Sequence, residues 1–166
     1  MTRLLFSLLL ICSVICLPSC ASRGPSFDAA KRPSSNSSLV YVYRPSNFGG
    51  GGIKPGVKVN SQQDFVIPNN THAALELPPG KHSFSLVLSD RYSGVSSETV
   101  DLKAGQTTYL RVTSSFNASG IGVVTMQYGF SIDEVDAERG LLEISKTSAI
   151  DPKTIGAWSK SWLMVN

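Results

Sequence analysis

The chain has 166 residues, 42% apolar and 16% charged, with a formal charge of +3. That length and composition suit one domain with a buried core and exclude global disorder. Its basic residues, among them Arg44, Lys58, Lys81, Arg91, Lys103 and Arg111, are dispersed. They make no basic stripe, so nucleic acid is not an expected partner.

Residues 1–19 read as a signal peptide. Arg3 supplies the positive start and residues 4–16 an apolar run, which Pro18 ends. The run is short for a membrane span, which needs about 20 residues. A buried core helix or an uncleaved anchor is the competing reading, but nothing downstream would bury so uniformly apolar a start. Leu17-Pro18-Ser19-Cys20 resembles the bacterial lipobox, with an aliphatic residue at −3, a small one at −1, then cysteine. The resemblance implies that diacylglycerol alkylates the Cys20 thiol and that acyl chains of the palmitate class complete the anchor. Two or three chains bind a membrane far more firmly than one. Ala21 rather than Asp follows Cys20, which in this class implies the outer membrane, with the domain facing the periplasm. The alternative is ordinary peptidase cleavage after Ala21, which would release a soluble periplasmic protein. All the cysteines, Cys12, Cys16 and Cys20, fall in this segment, so the mature domain is expected to hold no internal disulfide and no CxxC-type metal site.

Residues 20–37, rich in Ser, Pro, Asn and Lys/Arg, read as a flexible tether. A domain over 38–147 and a tail over 148–166 follow. Within the domain, period-two alternation bounded by Gly, Pro, Asn and Ser predicts short strands. Residues 39–44 (LVYVYR) are apolar on both faces, as in a central strand. Further strands are expected around Val57 and Val59, over 64–67, and through Ala73, Leu75 and Leu77. The turn Pro78-Pro79-Gly80-Lys81 follows. Phe84, Leu86 and Leu88 share a face; so do Val100 and Leu102, then Leu110 and Val112 after the turn at 103–106; residues 121–128 form the last clear strand. Seven or eight strands of this length predict an all-β fold, a small antiparallel sandwich of the Ig-like or PEGA-like kind. One helix is expected after it, opened by a Ser131-x-x-Glu134 capping box, with Val135, Leu141, Leu142 and Ile144 on its apolar face. In the tail, Asp151-Pro152 can start a second short helix carrying Ile155, Trp158 and Trp162 on one face. That face either docks on the sandwich or meets a partner or lipid.

Four stretches in order carry a wider resemblance: LVYVYRP (39–45), VKVN (57–60), LELPPGKH (75–82) and AGQTTYLRV (104–112). Together with the lipobox they resemble a bacterial family known only as a domain of unknown function, found mainly in short lipoproteins. The match runs over roughly residues 38–146. It is also similar in style to PEGA-type β-sandwich modules. The resemblance implies a small all-β envelope domain and no catalytic residues. The sequence departs from the pattern at Gly49, Gly50, Gly51 and Gly52, and at Asn60-Ser61, which leaves that loop and that hairpin register open.

Few residues suggest chemistry. His72 and Glu76 lie four apart on a predicted strand and share a face, as the start of a metal or acid–base site would. The other histidine, His82, reads as a structural cap of the Pro-Gly hairpin. The glycine run is followed by Ile53-Lys54-Pro55, not by the Gly-Lys-Ser/Thr of a phosphate loop. No GxSxG elbow is present. No cofactor, metal or catalytic residue is therefore assigned. The expected function is a lipid-anchored, non-catalytic interaction or structural module of the envelope, with an envelope protein or glycan as partner. Its candidate contacts are Tyr41, Tyr43, Arg44, Phe48, the Gly49–Gly52 loop, Trp158 and Trp162, of which the loop and the tail are favoured over the strand residues. A glycan- or peptidoglycan-binding module, stacking sugars on Trp158, Trp162 or Tyr109, is one alternative; a periplasmic hydrolase using His72 and Glu76 is another.

Overall fold

The computed structural model describes residues 25–29, 31–61, 63–88, 96–119 and 125–150. Cys20, Trp158 and Trp162 lie outside them. In chain order the elements are β1 (Ser38–Arg44), β2 (Gly56–Val59), β3 (Gln63–Val66), β4 (Thr71–Leu77), β5 (Gly80–Val87), β6 (Ser97–Leu102), β7 (Thr107–Ser119), β8 (Thr125–Val135), α1 (Ala137–Ile144) and β9 (Ser148–Ile150). One sheet has the order β8-β7-β1-β4-β9 and the other β3-β2-β5-β6. They pack as the expected small all-β sandwich.

Between the sheets, Val40 and Val42 of β1 meet Val57, Phe65, Phe84, Leu110 and Phe130. The opposite face of β1, with Leu39, Tyr41 and Tyr43, is buried as well, in a second cluster with Tyr109 and Ile144. The two-faced apolar pattern of β1 thus reflects two cores, and all seven of its residues are buried.

The sheets are mixed rather than wholly antiparallel: β1 runs parallel to β7, and β4 parallel to β9. Between β1 and β4 the chain visits the other sheet, as it does again between β4 and β7. Excursions of that length allow parallel neighbours, which a tight hairpin cannot. For the same reason the turn after Leu77 joins two sheets and is not a hairpin. His82 keeps a structural role but ties two turns together. Its Nδ1 accepts from Asn60 Nδ2 at 2.8 Å, and its Nε2–H donates to the Pro78 carbonyl at 2.9 Å.

The helix starts later than the capping box suggests. Ser131 and Glu134 lie in β8, which pairs with β7 from Tyr109↔Val135 to Ser119↔Thr125. Phe130 and Ile132 turn into the core, and the long ladder with β7 outweighs a local cap. Asp136 caps α1 instead, accepting from the Arg139 N–H at 2.8 Å. The last long strand is accordingly β8, of which the expected 121–128 strand caught only the first part; residues 120–124 lie outside the description.

Helix α1 lies on the outer face of the larger sheet. Gly140 makes this possible: a Cβ there would stand 2.4 Å from Tyr109 Cγ. Glu143 fastens the helix, accepting from Tyr43 Oη at 2.9 Å, Arg111 Nε at 2.6 Å and Arg139 Nε at 3.2 Å. Burial would raise its pKa, but the bonds from Tyr43 and Arg139 and the charge of Arg111 hold the carboxyl below its ordinary value.

Much of the segment read as tether is a strap on this face. Ser26 bridges to Ser148, and the Ala149 N–H donates to the Pro25 carbonyl at 2.8 Å. Phe27 packs edge-on against Tyr41 and His72, with centroids 5.1 and 5.7 Å apart. Farther along, the Ser34 N–H and Ser37 Oγ–H both donate to Glu76. The strap therefore crosses from the Arg44 end of the sheet to its Ser38 end before entering β1. Strand β9, placed in the tail by the sequence reading, belongs to the sheet as well.

Candidate functional site

At the Arg44 end the chain leaves β1 and forms the loop of residues 45–53, which contains the glycine run. Arg44 lies on the inward face of β1 and is buried. Its guanidinium stands 5.1 Å over the Phe130 ring. Nη2 donates to the Gly50 carbonyl at 2.7 Å and Nη1 to the Ile53 carbonyl at 2.6 Å. Both sides of the loop are thus held from beneath by one planar cation, whose forked donors suit two carbonyls better than an ammonium would. Burial lowers the pKa of this group from its usual value.

Side chains fasten the loop from its flanks. Asn47 and Asn69 exchange bonds, N–H to Oδ1 at 3.0 Å and Nδ2–H to the Asn47 carbonyl at 3.1 Å. Asn47 Oδ1 also accepts from the Gly49 N–H at 3.0 Å, an Asx turn. Ser114 Oγ–H donates to the Gly49 carbonyl at 2.7 Å. Gly50 has φ +78°, and a Cβ on Gly51 would lie 2.8 Å from the Asn47 carbonyl oxygen. Two of the four glycines are therefore required by the turn, while a Cβ on Gly52 would meet nothing within 4 Å. The run builds a tied turn rather than a loose loop.

The turn presents Phe48, which is fully exposed. Exposed Phe116 of β7 stands beside it, its ring 5.0 Å from that of Tyr128 on β8. Val87, at the end of β5 against Gly56, is exposed too. Of the five exposed large apolar side chains among the described residues, these three gather at the Arg44 end; Leu141 and Leu142 on α1 are the others. Residues 45–53 contain no charged side chain, and Lys54 follows them.

The other sequence candidates are dispersed. His72 and Glu76 share the outer face of β4, but four residues of strand separate them by about 13 Å. His72 is buried; its Nδ1–H donates at 2.7 Å to Thr147 Oγ, whose own hydrogen goes to the Ile144 carbonyl. Burial pushes its pKa down to about 4. Glu76 is exposed, and bonds from Ser37 and then Ser34 hold its carboxyl below the usual range. The pair makes no joint acid–base site. Among the described residues no three His, Cys, Asp or Glu side chains are grouped to hold a metal. Tyr109, a candidate sugar platform, is buried under α1 and stacked on Tyr41 at 5.7 Å. A groove of about 390 Å³ remains between the strap and α1, with Phe27, Arg32, Tyr41, Tyr109 and Leu141 in its walls. Sequence reasoning singled out Phe48, the glycines and Arg44, the last as a contact rather than as the support beneath the loop, but missed Asn47, Asn69 and Ser114, which also order it.

Comparison with known proteins adds one match. The family model described as Protein of unknown function (DUF2846) covers residues 34–124, more than half of the chain, from the end of the strap through β7. No curated protein matches the chain.

Proposed function

Because the chain belongs to the DUF2846 family, whose description assigns no activity, its role is read from its own surface, and we propose that it is a lipid-anchored envelope protein acting as a non-catalytic interaction or structural module. The lipid is carried on Cys20, and the domain faces the periplasm from the outer membrane. The observation that carries the interaction role is the loop of residues 45–53. Arg44, Asn47, Asn69 and Ser114 spend their hydrogen bonds on holding a turn that packs Ile53 against the core and leaves Phe48 fully exposed. An ordered loop that displays an apolar side chain has already lost the entropy that binding would otherwise cost. Supporting the anchor is the lipobox-like sequence ending at Cys20.

Growth with labelled palmitate followed by fractionation tests the anchor. The wild-type protein should carry label in the outer-membrane fraction, and Cys20→Ser should be unlabelled. An unlabelled wild-type protein in the soluble periplasm would refute the anchored reading.

A further inference from the structure

We propose that the Phe48 loop is a second membrane contact, and that its partner is the lipid monolayer holding the acyl chains of Cys20. The inference rests on the anchored reading above and names the occupant of its contact surface.

The position of the tether carries it. Ser26 pairs with Ser148, Ser148 with Thr71, and Thr71 with Arg44. These four residues form one row across the sheet, so the chain reaches the fold at the end where the Phe48 loop begins. Three strand spacings separate Ser26 from Arg44, about 14 Å. From Cys20 to Ser26 are six residue steps, which extend to at most about 21 Å. With the strap fixed along the outer face, little free chain is left between lipid and sheet. The Arg44 end therefore faces the surface in which Cys20 is anchored, and the Ser38 end, with the turn at 103–106, faces away.

Composition agrees with that orientation. Phe48, Val87 and Phe116 are exposed at this end. Residues 45–53, 112–119 and 125–130 contain no charged side chain, so approach to a bilayer buries no ion there. Lys54, exposed beside the loop, can meet lipid phosphate while Phe48 enters the acyl boundary, the division of labour of an interfacial contact.

The test uses the mature full chain, purified in detergent and reconstituted into phosphatidylethanolamine/phosphatidylglycerol vesicles. In Phe48→Cys a single environment-sensitive fluorophore is attached at the loop; in Ala104→Cys it is attached at the far end. Phe48 is fully exposed, so its replacement leaves the fold intact. The label at 48 should shift to the blue and be quenched by lipids carrying a nitroxide on the acyl chain, whereas the label at 104 should do neither. Equal, water-like emission at both sites, on protein whose mass shows an acylated Cys20, overturns the proposal and leaves the anchor standing. If the mass shows no acyl chain, the anchored reading fails. Quenching at 48 by added vesicles then still supports the loop as a lipid contact, and its absence overturns that as well.

Discussion

Acid should weaken this fold through His72. The imidazole is buried between Phe27 and Tyr41, with Thr147 accepting its Nδ1–H. Burial lowers its pKa from 6.5 to about 4. A neutral buried histidine takes up a proton in the unfolded chain before it does so in the folded one. Its contribution is therefore fully present above the unfolded value and is lost as pH falls from about 6.5 toward about 4. At about 1.4 kcal/mol per unit, the whole shift corresponds to about 3 kcal/mol. Roughly 2 kcal/mol of that should already be gone between pH 7 and pH 5. Glu76 and Glu143 have lowered pKa values, so their contributions are lost with acid too, but mostly below pH 5. Urea unfolding at pH 7 and pH 5, on wild type and His72→Gln, isolates the histidine. Glutamine can still donate to Thr147 but does not titrate. The variant should lose about 2 kcal/mol less than wild type over this interval. If both lose the same amount, His72 is not the responsible group and its neutral burial is misread.

Other substitutions test the packing and the loop. Gly140→Ala improves helix propensity but drives a Cβ into Tyr109, so thermal unfolding should show a net destabilisation of about 1–3 kcal/mol. Gly52→Ala should stay within about 0.5 kcal/mol of wild type, whereas Gly51→Ala should speed hydrogen exchange at the Ile53 amide, which bonds the Gly50 carbonyl. Arg44→Met removes the guanidinium from both loop carbonyls, leaving Gly50 with only the Ile53 amide as donor and the Ile53 carbonyl without its side-chain donor, and urea unfolding should show a loss of about 2 kcal/mol or more. Glu143→Ala removes the acceptor shared by Tyr43, Arg111 and Arg139 and should cost about 2 kcal/mol in the same assay.

Most of the strands were legible because burial on one face writes period two into the sequence. The alternation at Val57 and Val59, or at Phe84 and Leu86, needs no knowledge of the partner strand. The boundary between β8 and α1 was not legible in that way. Ser131 and Glu134 satisfy a local capping rule, and only the presence of β7 alongside them makes the strand the better state. The strap shows the same limit: its polar composition reads as spacer, yet Phe27 finds an aromatic pair and Ser34 and Ser37 find Glu76. In the candidate site, Phe48 and the glycines stood out by residue type. The order of their loop did not, because Asn69 and Ser114 come to it from far along the chain.

By itself the amino-acid order determined the sandwich class and the two-faced burial of β1, since each of these is written in residues that are neighbours in sequence. Tertiary structure alone decided which strands run parallel, why position 140 is glycine, how the loop is tied and where the strap crosses the sheet. Those outcomes depend on contacts between distant segments, whose energies no local pattern contains.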